Sequence, residues 1–330
     1  MANILVTCFG SFGDLYPYIA LSKSLQQRGH VVKIGSALIY QSVIESEGIL
    51  FTHVRTAFDK YSTPDATREF IERIFDPVKG GKLLTLEIMM FIEDMYKDTI
   101  TAIEHIDFVI SNPLAYTTPI VCRDKEIPWI STVLAPMFFL SVYDPPILAA
   151  APWLRKIHSL SPTLYRTLFK LIASTTKTWV KPLYQLCDHY KITPPYGNPL
   201  FKGQYSPYGT LAMFPDYFAE PQIDWPENTK MVGFPLFASE VATSEEQTNL
   251  QKFIQTGEAP IVFALGSAAV NAAGEFYRIS AKIVRRLKRR AIMVYGAHDE
   301  VISEIKPGND IFFIRYIAYN KVFPKALNIL

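Results

Sequence analysis

Apolar residues recur along this chain in two alternating rhythms, short continuous runs and longer stretches at helical spacing. Residues 3–8 form an apolar run, 9–13 a glycine-rich turn, and 16–28 a stretch in which Ile19, Leu21 and Leu25 recur at helical spacing. Gly29 then caps the helix and residues 31–35 resume an apolar strand, completing one strand–helix–strand unit. A right-handed parallel crossover follows from that arrangement. The alternation continues with a helix at 40–46, a strand at 49–53, a long helix over 82–104 and strands at 107–111 and 129–133. Strands and helices in this order predict an open parallel sheet with helices on both faces.

Between residues 135 and 211 the rhythm gives way to proline-rich and aromatic segments around one helix, near 162–184, read as an insertion over the cleft. A strand at 211–214 leads into Pro215, Pro221, Pro226 and Pro235, and the polar stretch 244–256 has the composition of a linker carrying one surface helix. A domain boundary is therefore expected between residues 239 and 240. A second cycle follows: a buried strand at 261–265, its turn at Gly266 and Ser267, a helix over 275–289, strands at 291–295 and 311–314, and a helix near Lys321. Three parallel strands leave an edge and a face uncovered, so the second domain is expected to be incomplete. The predicted class is α/β, with Rossmann-like parallel-sheet domains over 1–239 and 240–330.

Composition narrows the picture. The 330 residues are 49% apolar, enough for two ordinary cores, and the formal charge of +2 gives no support for a nucleic-acid partner. Cys8, Cys122 and Cys187 are widely spaced and form no C-x-x-C pair, which suits a reducing, cytoplasmic setting. The residues after Met1 run directly into a strand pattern without the features of a secretory leader. The most apolar region, 127–154, is interrupted by five prolines and makes no clean spanning helix. The six histidines show no metal-ligand spacing, and no metal is expected. From Pro145 to Cys187 there is no acidic residue. Within that span Arg166, Lys170, Lys177 and Lys181 recur at helical spacing, and Leu164, Leu168, Leu171, Ile172 and Trp179 form another stripe. Such a basic amphipathic helix either lies on an anionic bilayer, giving peripheral membrane contact, or packs on its own domain with a solvated basic face.

The segment from Thr7 to Ser36, with Gly10-Ser11-Phe12-Gly13-Asp14, Pro17, Ala20-Leu21 and Gly29-His30, resembles the amino-terminal domain of the sterol, rhamnolipid and antibiotic glycosyltransferases of the GT-B fold. Phe214-Pro215, Asp224-Trp225-Pro226 and Val232-Gly233-Phe234-Pro235 look like that family's interdomain strand, and residues 261–267 like the opening of its second domain. The resemblance implies inverting transfer of a hexose from a UDP-sugar to a hydroxyl of a lipophilic acceptor, with no metal or other cofactor. The chain also lacks the Asp-x-Asp pair that anchors manganese in the other large glycosyltransferase fold. The family's two-histidine, two-glycine donor signature is absent from these residues, and Ala318-Tyr319 stand where relatives have a Pro-His pair. The alternative is thus a catalytically incomplete acceptor-binding half, completed by a partner chain.

On this resemblance Asp14 is the candidate general base, at the sheet's carboxyl edge where doubly wound folds bind ligands, with Gly10, Ser11 and Gly13 as the acceptor-side loop. The other reading of the glycines is a sharp strand-to-helix turn and nothing more. Gly266 and Ser267 are candidates for the donor phosphate, or a turn and helix cap. Tyr316 and Tyr319 are candidates to flank the nucleotide base, or core residues. An NAD-dependent oxidoreductase is disfavoured, because the first turn reads Gly10-x-x-Gly13 and no acidic residue ends the second strand near Ser36.

Overall fold

A computed structural model describes residues 1–61, 64–148, 151–195, 197–201, 203–237, 244–296, 299–306 and 308–330. The strands are β1 (Asn3–Thr7), β2 (Val31–Ser36), β3 (Leu50–His53), β4 (Phe108–Ser111), β5 (Trp129–Val133), β6 (Thr210–Ala212), β7 (Thr229–Met231), β8 (Ile261–Ala264), β9 (Ala291–Val294), β10 (Ile311–Ile314) and β11 (Asn328–Ile329). The helices are α1 (Phe12–Gln27), α2 (Gln41–Ser46), α3 (Pro64–Ile74), α4 (Gly80–Met90), α5 (Ile92–Ala102), α6 (Thr118–Asp124), α7 (Leu154–Leu160), α8 (Pro162–Thr175), α9 (Lys181–Tyr190), α10 (Ser244–Gln255), α11 (Gly266–Ala269), α12 (Phe276–Arg286), α13 (Glu300–Ser303) and α14 (Tyr319–Val322). They form two compact units, one of residues 1–10, 14–62 and 73–236, the other of 11–13, 63–72 and 237–330. The expected boundary at 239/240 lies outside the described residues.

The first unit is built on a seven-stranded sheet of order β3-β2-β1-β4-β5-β6-β7, every pairing parallel. The chain runs outward from β1 to β3 and then returns to the other side of β1 as β4, which makes the β1/β4 junction the topological switch point. Ile4, Leu5 and Val6 of β1 are all buried, as a central strand covered on both faces requires. Leu5 packs with Val109, Ile88, Met95, Ile120 and Leu183 on one face. Helix α1 turns Leu15, Tyr18, Ile19 and Ser22 inward, one apolar stripe at helical spacing.

Two expected helices differ in detail. The stretch 82–104 is divided at Phe91, where α4 ends and α5 begins. The stretch 162–184 is α8, then a 3-10 turn over 176–180, then α9. The inward face of α8 centres on Tyr165, which is 1% exposed, so the expected apolar stripe is divided: Leu164 and Leu171 are 50% and 59% exposed.

The second unit carries a four-stranded parallel sheet of order β10-β9-β8-β11. Asn328 and Ile329 pair with Ile261 and Val262, covering one side of β8. Its core joins Phe263, Tyr277, Val284, Met293 and Ile311 on one face and Val262, Ile292, Ile314 and Val322 on the other. No helix among the described residues is long and apolar enough to cross a membrane.

Candidate functional site

All seven strands of the first sheet being parallel, the loops that follow them open on a single edge. The loop after β1 emerges at the switch point, where doubly wound sheets leave a crevice for ligands. Its backbone is held through three consecutive carbonyls. Cys8 O accepts from Ser36 Oγ at 2.6 Å, Phe9 O from Asn112 Nδ2 at 2.7 Å, and Gly10 O from Tyr40 Oη at 2.6 Å. Asn112, just after β4, also accepts from Leu114 N–H through Oδ1 at 3.1 Å, so its amide orientation is set. Ser36 and Asn112 are polar residues at strand ends on the sheet's carboxyl edge; that placement, rather than any motif, is the signal by which sequence reading could have found them.

Gly10 adopts φ +134°, a backbone state that side chains disfavour. A Cβ there would lie 2.2 Å from Asp14 Oδ2 and 2.4 Å from its Cγ. Gly10 and Asp14 are thus brought together, the carboxylate lying across the bare α-carbon. Ser11 Oγ accepts from Gly13 N–H at 3.2 Å, tightening the turn that opens α1.

The half-buried Asp14 shares its surroundings with groups held neutral. Burial pushes the Cys8 thiol well up from its ordinary value, and the Asp14 charge pushes it further. Tyr18 and Tyr40 are raised for the same first reason, with Cys8 and Asp14 adding to it. Tyr18 Oη is paired with Thr132 Oγ1 at 2.6 Å, and Thr132 donates to Ser111 O at 2.9 Å. The arrangement offers a carboxylate proton acceptor among neutral hydroxyl and thiol groups, in a loop with little freedom.

A cavity of about 730 Å³ opens in the same unit beside the loop that follows β5. Phe139, Leu140, Phe169, Phe201 and Ile223 supply apolar wall, and the volume falls in the range of about 300–1,000 Å³ usual for small-molecule sites. Leu140 sits at φ 49°, the left-handed region, at a cost of order 1 kcal/mol for a residue with a side chain. Phe139 stacks on Trp225 at 4.3 Å, and Asn198, which also lines the cavity, donates to Thr176 Oγ1 at 2.7 Å.

In the second unit Gly266 (φ 77°) and Ser267 follow β8 and open the short α11. Asn271 Nδ2 donates to Ser267 O at 3.1 Å. Tyr316 and Tyr319 follow β10, on the same sheet edge but separated by the width of β9. The Tyr319 ring stacks on Phe323 at 4.4 Å and is 39% exposed; burial and the neighbouring Tyr316 raise its pKa. The buried Tyr277 donates to Val294 O at the end of β9. Among the described residues no group of three or more His, Cys, Asp and Glu is placed to hold a metal.

Residues 4–144 match the glycosyltransferase family 28 N-terminal domain. An O-mycaminosyltylonolide 6-deoxyallosyltransferase of Streptomyces fradiae is 23% identical over 300 residues, covering 89% of this chain and 68% of that protein. A sterol 3-beta-glucosyltransferase of Aspergillus terreus is 23% identical over 338 residues, covering 97% of this chain but 23% of that protein. Among solved structures, the spinosyn rhamnosyltransferase SpnG complexed with thymidine diphosphate superposes with a TM-score of 0.59 at 13% identity, over 100% of this chain and 74% of that one. The fold is shared with that solved structure over the length of this chain.

Proposed function

We propose, starting from a chain whose residues 4–144 match the glycosyltransferase family 28 N-terminal domain and whose fold is that of the GT-B glycosyltransferases, that it serves transfer of a hexose from a nucleotide sugar to a hydroxyl of a lipophilic acceptor. The observation that carries this reading is Asp14 held across Gly10 at the switch point, on the sheet edge that also bears the loop lining the apolar cavity. On this reading the cavity seats the acceptor. The relatives' names point the same way, one naming O-mycaminosyltylonolide and one a sterol.

In the proposed step the acceptor oxygen attacks the anomeric carbon as the bond from that carbon to the nucleoside diphosphate oxygen breaks on the opposite face, inverting the centre. The acceptor proton passes to the Asp14 carboxylate and the electron pair leaves with the diphosphate. A carboxylate with an ordinary pKa of about 4 is a weak base toward an alcohol, so alignment rather than basicity supplies the catalysis. The rigid carbonyl anchors of the loop supply that alignment. Ser267 is assigned to the donor phosphate side and Tyr316 and Tyr319 to the base side. The donor is assigned as a UDP-sugar; thymidine diphosphate, the ligand of the spinosyn enzyme, is the comparison to make.

The test is calorimetric titration with UDP and with thymidine diphosphate, followed by a UDP-release assay with a sterol acceptor. Asp14→Asn should lower release by about 10²–10⁴-fold while nucleotide affinity is unchanged. Release that survives the substitution would remove Asp14 from the mechanism.

A further inference from the structure

The cavity beside the β5 loop is lined by both apolar and cationic side chains. Arg166, Lys170 and Lys177, from α8 and the turn after it, all line it. Asp224 is the acidic residue among the lining groups, and its carboxylate is already engaged: Oδ1 accepts from Ser141 Oγ at 2.6 Å and Oδ2 from Val142 N–H at 2.7 Å. Arg166 donates to Tyr143 Oη at 3.2 Å and lies over that ring, which holds the guanidinium without neutralising it. Among the described residues no carboxylate pairs with Arg166, Lys170 or Lys177. An apolar body alone gains nothing from three cations that have no carboxylate partner around its seat. A solvated basic face on a surface helix does not require them to converge on a cavity either.

We infer that this cavity takes an amphiphile that carries an anionic group, carboxylate or phosphate, with its apolar body against Phe139, Leu140, Phe169 and Phe201 and its charge among Lys170, Lys177 and Arg166. This rests on the acceptor reading for its role in transfer, but on the cavity alone for binding. An anion there meets three cations, none paired with a carboxylate among the described residues, against the single charge of Asp224, and each charge-assisted contact is stronger than one between neutral groups. The apolar body supplies affinity by burial at about 25 cal/mol per Å², and the anion fixes which end enters. The same chemistry is presented by a free amphiphile and by an anionic bilayer lipid.

Decyl phosphate and 1-decanol, both below their aggregation limits, are the probes, titrated into the full chain by calorimetry. Wild type should bind decyl phosphate at least about tenfold more tightly than decanol, a difference of about 1.4 kcal/mol. Lys170→Gln with Lys177→Gln, two exposed substitutions, should shrink that preference below about threefold and leave decanol affinity unchanged. Ala173→Trp, which fills the cavity from α8, should weaken both probes, with circular dichroism showing an intact fold. Salt at about 1 M, where the screening length is about 3 Å, should erase much of the preference. Equal affinity for the two probes, a preference that survives the double substitution, or wild-type binding by Ala173→Trp would each overturn the proposal. Competition by phosphatidylglycerol vesicles but not phosphatidylcholine vesicles identifies a bilayer lipid as the source, and competition by neither identifies a free amphiphile; both uphold the site. Because no nucleotide enters this assay, loss of sugar transfer with probe binding intact would sink the transfer reading and leave the binding site standing.

Discussion

Gly10 leaves the space that Asp14 occupies, so one missing side chain determines where the proposed base lies. Gly10→Ala must both adopt φ +134° and displace the carboxylate. It is expected to cost about 1–3 kcal/mol in urea unfolding and to abolish UDP release, whereas Asp14→Asn lowers release without a comparable loss of stability. Asn112→Ala removes the donor to Phe9 O and leaves a buried carbonyl unpaired, for about 1–3 kcal/mol. Tyr40→Phe removes the hydroxyl bond to Gly10 O, for about 1 kcal/mol, and should lower release more than its stability loss explains, because it frees the loop. Gly10 and Asp14 are legible in the sequence because a turn glycine and a lone carboxylate in one short loop carry a local meaning. Ser36, Tyr40 and Asn112 are not, since each acts on a residue 28, 30 or 103 positions away.

At the scale of elements, the run of strands and helices is readable from periodicity wherever burial is two-sided, as in β1, β2 and β8. It fails where one helix passes into the next without a proline or glycine to mark the break, as at Phe91 between α4 and α5. It fails again in α8, whose sequence offers two apolar stripes. Packing chooses the one centred on Tyr165, which stacks on Phe169 at 5.8 Å, and leaves Leu164 and Leu171 in solvent. Tyr165→Ala should therefore cost about 3–5 kcal/mol by urea unfolding, while Leu171→Ala stays within about 0.5 kcal/mol. Equal losses at the two positions would mean that the helix is rotated from this arrangement. The helix also begins on a side-chain cap, Ser161 Oγ accepting from Leu164 N–H at 3.3 Å. Ser161→Ala should cost about 0.5–2 kcal/mol and raise amide exchange in the first turn.

Across the whole molecule, buried phenols and thiols make stability depend on alkaline pH. Burial raises Tyr18, Tyr40, Tyr116, Tyr205 and Tyr277 above the ordinary 10.0 and Cys8 above 9.0. The unfolded chain releases these protons at the ordinary values and the folded chain at higher ones, so above about pH 9 the folded state holds more protons and rising pH favours unfolding. The urea midpoint should be lower at about pH 10.5 than at pH 8, with tyrosinate absorbance from these groups appearing together with the unfolding transition. The three carbonyl anchors also bear on how the molecule is made. They join the β1 loop to partners that are present only once β2 and β4 have docked on either side of β1, and closing a connection of 103 residues is slow compared with forming a helix. During refolding, helical signal should therefore return first and ligand recognition last, so a chain caught partway is one that looks folded to circular dichroism and is still blind to the proposed ligands.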